Sequence, residues 1–136
     1  MKIIDILNSK EVTLSYEVFP PKKDMPFEPI VAAVDKLCMD KPDFMSVTYG
    51  AGGGIGHNTI KIADHVQNDL GVTSLAHLTC ISSTKEQVAE AIEGIKAAGI
   101  ENILALRGDK NPNLPEKHDF AHASDLITYL KEHHAF

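Results

Sequence analysis

The chain has 136 residues, 43% of them apolar, with a formal net charge of −6 and a sequence pI near 5.6. That length makes a single domain, 1–136, with enough apolar material for one core, and the lack of any basic block argues against a nucleic-acid partner, since phosphate binding needs clustered Lys and Arg. Cys38 and Cys80 follow no pairing pattern, and the run Met1–Leu7 carries charge and no small-residue cleavage site; a reducing, cytoplasmic setting without signal peptide or membrane span is expected.

In chain order, the first strand is Leu14-Ser15-Tyr16-Glu17-Val18-Phe19, stopped by Pro20 and Pro21, which cannot donate to a ladder. Alternation puts Thr13, Ser15 and Glu17 on one face and Leu14, Tyr16 and Val18 on the other. Pro29 then opens a helix whose apolar stripe is Ile30, Val34, Leu37 and Cys38. Phe44–Tyr49 is a second strand, closed by Gly50-Ala51-Gly52-Gly53-Gly54. A helix over about Asn58 to Leu70 follows, with Gly71 as its stop. Thr73–Thr79 is the third strand. Thr84 and Gln87 form a capping box for the next helix, whose stripe is Val88, Ala91, Ile92 and Ile95. Asn102–Leu106 is the fourth strand and runs into Arg107-Gly108-Asp109. After a polar loop with Pro112 and Pro115, Ser124 caps a last helix carrying Leu126, Ile127 and Leu130.

The rhythm is regular. From Glu17 to Thr48, His77 and Arg107 the steps are 31, 29 and 30 residues, close to the roughly 30 residues of a βαβ unit. Four such units make a parallel sheet, either doubly wound and open or part of a (β/α)₈ barrel. Each strand delivers polar groups at its C-terminal end: Glu17; Thr48 and Tyr49; His77 and Thr79; Arg107 and Asp109. In a barrel those ends surround one mouth. The glycine run fails both phosphate-loop patterns: Ile55 stands where G-x-G-x-x-G needs its last glycine, and no Gly-Lys-Ser/Thr follows. Barrel geometry is therefore expected, as the first four βα units of a TIM barrel. Each singled-out residue also has a plain alternative. Glu17 can sit on an edge strand facing water, Asp109 can bond its own turn backbone, and His77 can be a satisfied core histidine. His118 and His122, four apart, lack a third ligand at suitable spacing, so no metal site is expected.

Five blocks carry a family resemblance: Ser15-Tyr16-Glu17-Val18-Phe19-Pro20-Pro21, Ser46-Val47-Thr48-Tyr49-Gly50-Ala51, His77-Leu78-Thr79-Cys80, Leu106-Arg107-Gly108-Asp109 and Ala123-Ser124-Asp125-Leu126. In order and spacing they resemble the successive signatures of methylenetetrahydrofolate reductase, over residues 12 to 131. The resemblance implies an FAD-containing (β/α)₈ barrel, of which this chain covers the first half, reducing 5,10-methylenetetrahydrofolate to 5-methyltetrahydrofolate with NAD(P)H. It implies Glu17 as general acid and places Thr48, Tyr49, Ala51, His77, Arg107, Gly108, Asp109, His122 and Ala123 along the flavin, His122 standing where the family more often has an aromatic. Opening a C–N bond of the substrate needs an acid still protonated near neutral pH. A Glu17 buried beneath Phe19 and the two prolines would meet that need. Asp109, beside Arg107 in a polar turn, would stay ionised and stabilise the developing cation. The competing expectation is a catalytically silent half-barrel with at most weak flavin or folate binding. Four units alone leave two open strand edges, so a homo-oligomer or aggregate with little activity is expected of the isolated chain.

Overall fold

The computed structural model describes residues 1–22, 24–49, 56–134 and 136. A short helix α1 (Ile3–Ser9) precedes β1 (Ser15–Val18), α2 (Glu28–Cys38), β2 (Phe44–Val47), α3 (His57–Asp64), β3 (Thr73–Thr79), α4 (Lys85–Ala97), β4 (Ile103–Leu106) and α5 (Ala123–His133). The strands form one parallel sheet in the order β1-β2-β3-β4.

Which of the two parallel architectures this is follows from which face the helices cover. The register sets Glu17 opposite Ser46, Val18 opposite Val47, Val47 opposite Ala76 and Ala76 opposite Ile103. Side chains alternate along each strand, so Tyr16, Val18, Met45, Val47, Ala76, Leu78, Ile103 and Ala105 share one face. That face packs against Val34 of α2, Ile62 and Ala63 of α3, Val88, Ile92 and Ile95 of α4, and Leu126 and Leu130 of α5. All four helices that follow strands lie on it. A doubly wound sheet puts helices on both faces; sequential strands with an outer helical layer are the arrangement of a (β/α) barrel. The chain is thus a partial barrel, and the opposite face, bearing Glu17, Ser46, Leu75, His77 and Leu104, corresponds to a barrel interior. Leu75, Ile103 and Ala105 do not share a face, although all three are apolar strand residues. Leu75 is one position out of phase with the other two, which pack beneath the helices.

Local signals explain most boundaries. Thr84 accepts from the Gln87 backbone N–H (3.3 Å) while the Gln87 side chain accepts from the Thr84 N–H (2.9 Å), the capping box read from the sequence. The third helix instead divides. Its α-helical part ends at Asp64 and a π-helical turn, His65–Asp69, completes it, with the Leu70 N–H bonded to the His65 carbonyl at 3.1 Å. Gly71, at φ +69°, then reverses the chain. Ser124 is not the cap of α5. The helix begins at Ala123, and Asp125 reaches back to accept from the N–H groups of Ala121 and His122, both at 2.9 Å. Helix α1 has no strong sequence signal and is held tertiarily: Asn102 accepts from the Ile3 N–H (2.9 Å) and donates to the carbonyls of Met1 (3.0 Å) and Ser74 (3.3 Å). Among the described residues, no helix is long and apolar enough to cross a membrane.

Candidate active site

At the C-terminal end of the sheet, on the helix-free face, three side chains from three strands meet. The Ser46 hydroxyl donates to Glu17 Oε2 at 2.9 Å, and His77 Nε2 stands 3.5 Å from the same oxygen. The register dictates the pairing. Glu17 and Ser46 are direct neighbours in the ladder, and His77 lies one strand further over and two residues beyond Leu75, the partner of Ser46. Ser46 and His77 are each only 7% exposed. Burial pushes the His77 pKa below its ordinary value, the nearby Glu17 carboxylate opposing it, so its resting form is the neutral imidazole. The 3.5 Å contact is not an aligned hydrogen bond, and among the described residues Nε2 has no partner. His77 is therefore a buried histidine, but not a satisfied one, and such an orphaned polar atom calls for an explanation.

Glu17 differs from expectation. Its side chain is 60% exposed and Phe19 is 69% exposed, so the phenyl ring does not bury the carboxyl. The reason is topological: β1 is an edge strand, and Glu17 points to the face that carries no helices.

The β2 end is built from backbone. Thr48 donates its N–H to the Val18 carbonyl (2.9 Å), extending the ladder, and its own carbonyl accepts from the Thr59 hydroxyl (2.9 Å), which ties the strand end to α3. Tyr49 accepts at Oη from the Gly56 N–H (3.2 Å). Its ring lies so close to Gly56 that a Cβ there would stand 2.7 Å from Cε2. Ala51 and the glycine run around it lie outside the described residues.

After β4, Gly108 adopts φ +87°, and a Cβ on it would come within 3.1 Å of Thr79 Cβ. Both facts require glycine. The Arg107 carbonyl accepts from the N–H groups of Cys80 (3.2 Å) and Ile81 (2.8 Å), and its Nε donates to the Gly108 carbonyl (3.1 Å). Asp109 is exposed and has no ion pair among the described residues, with Arg107 two positions before it. Arg107 lines a cavity of about 240 Å³ with Lys110, Lys117, His118, Phe120 and His122, where Lys110 pairs with Glu116 at 3.0 Å. His122 precedes Ala123, the first residue of α5. Among the described residues no group of three or more His, Cys, Asp or Glu is arranged to hold a metal ion.

The structure thus brings Glu17 and His77 into contact and sets Arg107 and His122 around one cavity. Sequence reasoning passed over Ser46, Lys110 and Lys117. Ser46 carried a usable signal, since it lies two residues before Thr48 and so on the same face, one strand away from Glu17.

A family model described as methylenetetrahydrofolate reductase matches residues 2–136. Among similar proteins, methylenetetrahydrofolate reductase (NADH) 1 of Zea mays is 36% identical over 135 residues, which is 96% of this chain and 23% of the maize protein. The 5,10-methylenetetrahydrofolate reductase of Pectobacterium carotovorum is 38% identical over 121 residues (89% of this chain, 40% of the relative), and that of Escherichia coli is 35% identical over 122 residues (90% and 40%). The chain spans about a quarter of the plant protein and two fifths of the bacterial ones. With a partial (β/α) barrel beneath it and the family's pattern running from its second residue to its last, the chain belongs to the methylenetetrahydrofolate reductase family.

Proposed function

We propose that residues 1–136 form one domain that supplies the first four βα units of a flavin-dependent (β/α)₈ barrel. Its reaction is the reduction of 5,10-methylenetetrahydrofolate to 5-methyltetrahydrofolate with NAD(P)H. The observation that carries this reading is the carboxyl of Glu17 at the strand ends, on the helix-free face, bonded to Ser46 and beside neutral His77. FAD fits the residues present. His77 Nε2 is a buried polar atom in want of a partner, and a separate cavity is lined by Arg107, Lys110 and Lys117, cations suited to phosphate, together with Glu116. Arg107, Gly108, His77, Thr48, Tyr49, Ala51, His122 and Ala123 would hold the flavin. Bound there, it supplies the two-electron carrier between nicotinamide and folate.

The chain's own work is acid chemistry. Glu17 gives a proton to the departing nitrogen of the methylene bridge as the C–N pair moves to that nitrogen, leaving an electrophilic iminium carbon on the substrate. Asp109, exposed and unpaired among the described residues, is free to face that cation. Exclusion of water from Glu17 must come from groups other than Phe19, such as bound substrate or further strands covering the open face. A cytoplasmic location, a homo-oligomeric assembly and indifference to nucleic acid, in keeping with a net charge of −6, belong to the same proposal.

The 60% exposure of Glu17 favours a second reading for the isolated chain: a catalytically silent half-barrel. One variant separates the two. In the holoenzyme, Glu17→Gln keeps its flavin and the reduction of that flavin by NAD(P)H, but loses folate turnover by about 10²-fold or more. Undiminished folate turnover removes Glu17 from the chemistry, and absence of flavin from the purified wild-type protein leaves only the silent half-barrel.

A further inference from the structure

Glu17 has two carboxyl oxygens, and the protein treats them differently. Oε2 accepts the Ser46 hydroxyl at 2.9 Å and has the unaligned His77 Nε2 at 3.5 Å beside it. Both neighbours are 7% exposed, so water does not readily replace them. Oε1 has no such partner among the described residues, and the side chain remains 60% open to the helix-free face. An oxygen already accepting from a donor is the poorer place for a proton, because the donor hydrogen and the acid hydrogen would compete for it. We propose that Ser46 is a positioning residue for this acid: its hydroxyl fixes Oε2 as the accepting oxygen, so that the proton is carried on Oε1 and offered to the open face.

The inference rests on the acid role of Glu17 proposed above and deepens it. In the step itself the Oε1–H bond breaks, a new N–H bond forms on the departing nitrogen, and the electron pair of the C–N bond passes to that nitrogen. Ser46 exchanges no proton with substrate. It keeps the carboxyl in one rotation about its last torsion, which is otherwise broad and roughly two-fold for Glu.

The test pairs two substitutions with a readout independent of turnover. In the holoenzyme, Ser46→Ala should keep flavin content and NAD(P)H-driven flavin reduction. Its folate kcat should fall about 10-fold, the upper scale of one lost hydrogen bond, with KM changed less than about 2-fold. Ser46→Thr, which restores the hydroxyl, should recover most of the loss. In flavin-free protein labelled with ¹³C at glutamate carboxyls, the infrared band assigned by difference against Glu17→Gln should move in Ser46→Ala and return in Ser46→Thr. The proposal is overturned if Ser46→Ala turns over folate normally while Glu17→Gln does not. A parallel loss of flavin reduction, or a Glu17 band indifferent to Ser46, overturns it too. If Glu17→Gln is itself fully active, the acid assignment fails instead, and the infrared result still decides whether Ser46 holds the carboxyl.

Discussion

His65 presents a charge state that can be deduced from geometry. Its Nε2 lies 2.8 Å from Asp35 Oδ1 on α2, and its Nδ1 lies 2.7 Å from Asp69 Oδ2 at the end of the π-helical turn. Carboxylates accept only, and a neutral imidazole has one N–H, so both contacts are satisfied only by the imidazolium. The hydrogen bond to Asp35, and then that to Asp69, raise the pKa above its ordinary value, against a smaller opposing effect of burial. His65→Gln removes the cation that joins α2 to the end of the third helix. Asp35 and Asp69 are 51% and 70% exposed, so solvent screening holds each contact to about 0.2–1 kcal/mol and the pair to roughly 1 kcal/mol. The sign is fixed by linkage. A histidine whose folded pKa is raised contributes fully below its unfolded value of about 6.5 and loses that contribution as pH climbs through the higher folded value. Urea unfolding of wild type and variant should therefore differ by roughly 1 kcal/mol at about pH 5.5, and the difference should close by about pH 9. His77 and His134, whose pKa values burial lowers, titrate alike in both proteins and cancel. A destabilisation of equal size at both pH values would refute the charge argument and leave His65 a packing residue.

Two further substitutions test the frame around the site. Gly108→Ala forces a side chain into φ +87° and within 3.1 Å of Thr79, and should cost about 1–3 kcal/mol in urea unfolding; a change below about 0.3 kcal/mol would mean that the turn relaxes freely. Leu126→Ala empties a fully buried position where α5 meets Leu78 and Ile92, and should cost about 2–5 kcal/mol with an unchanged m-value. A neutral result would place α5 outside the cooperative core.

The sequence by itself determined what depends on neighbours along the chain. Apolar spacing in Val88, Ala91, Ile92 and Ile95, the Thr84–Gln87 box, the Gly71 stop and the 30-residue step between strand ends are short-range patterns, and the four βα units follow from them. The short helix α1 escaped notice because Asn102, about a hundred residues away, holds it. Tertiary structure alone decided the questions of register and face. Alternation could say that Glu17 and Val18 point oppositely, but only the tertiary structure could say that Glu17 meets Ser46, that Leu75 parts company with Ile103, and that the four helices following strands all cross to the Val18 side. Exposure is settled in the same way. An acid next to Phe-Pro-Pro reads as buried, yet on an edge strand facing away from the helices it stands open, because burial depends on what packs across the sheet rather than on what adjoins in the chain.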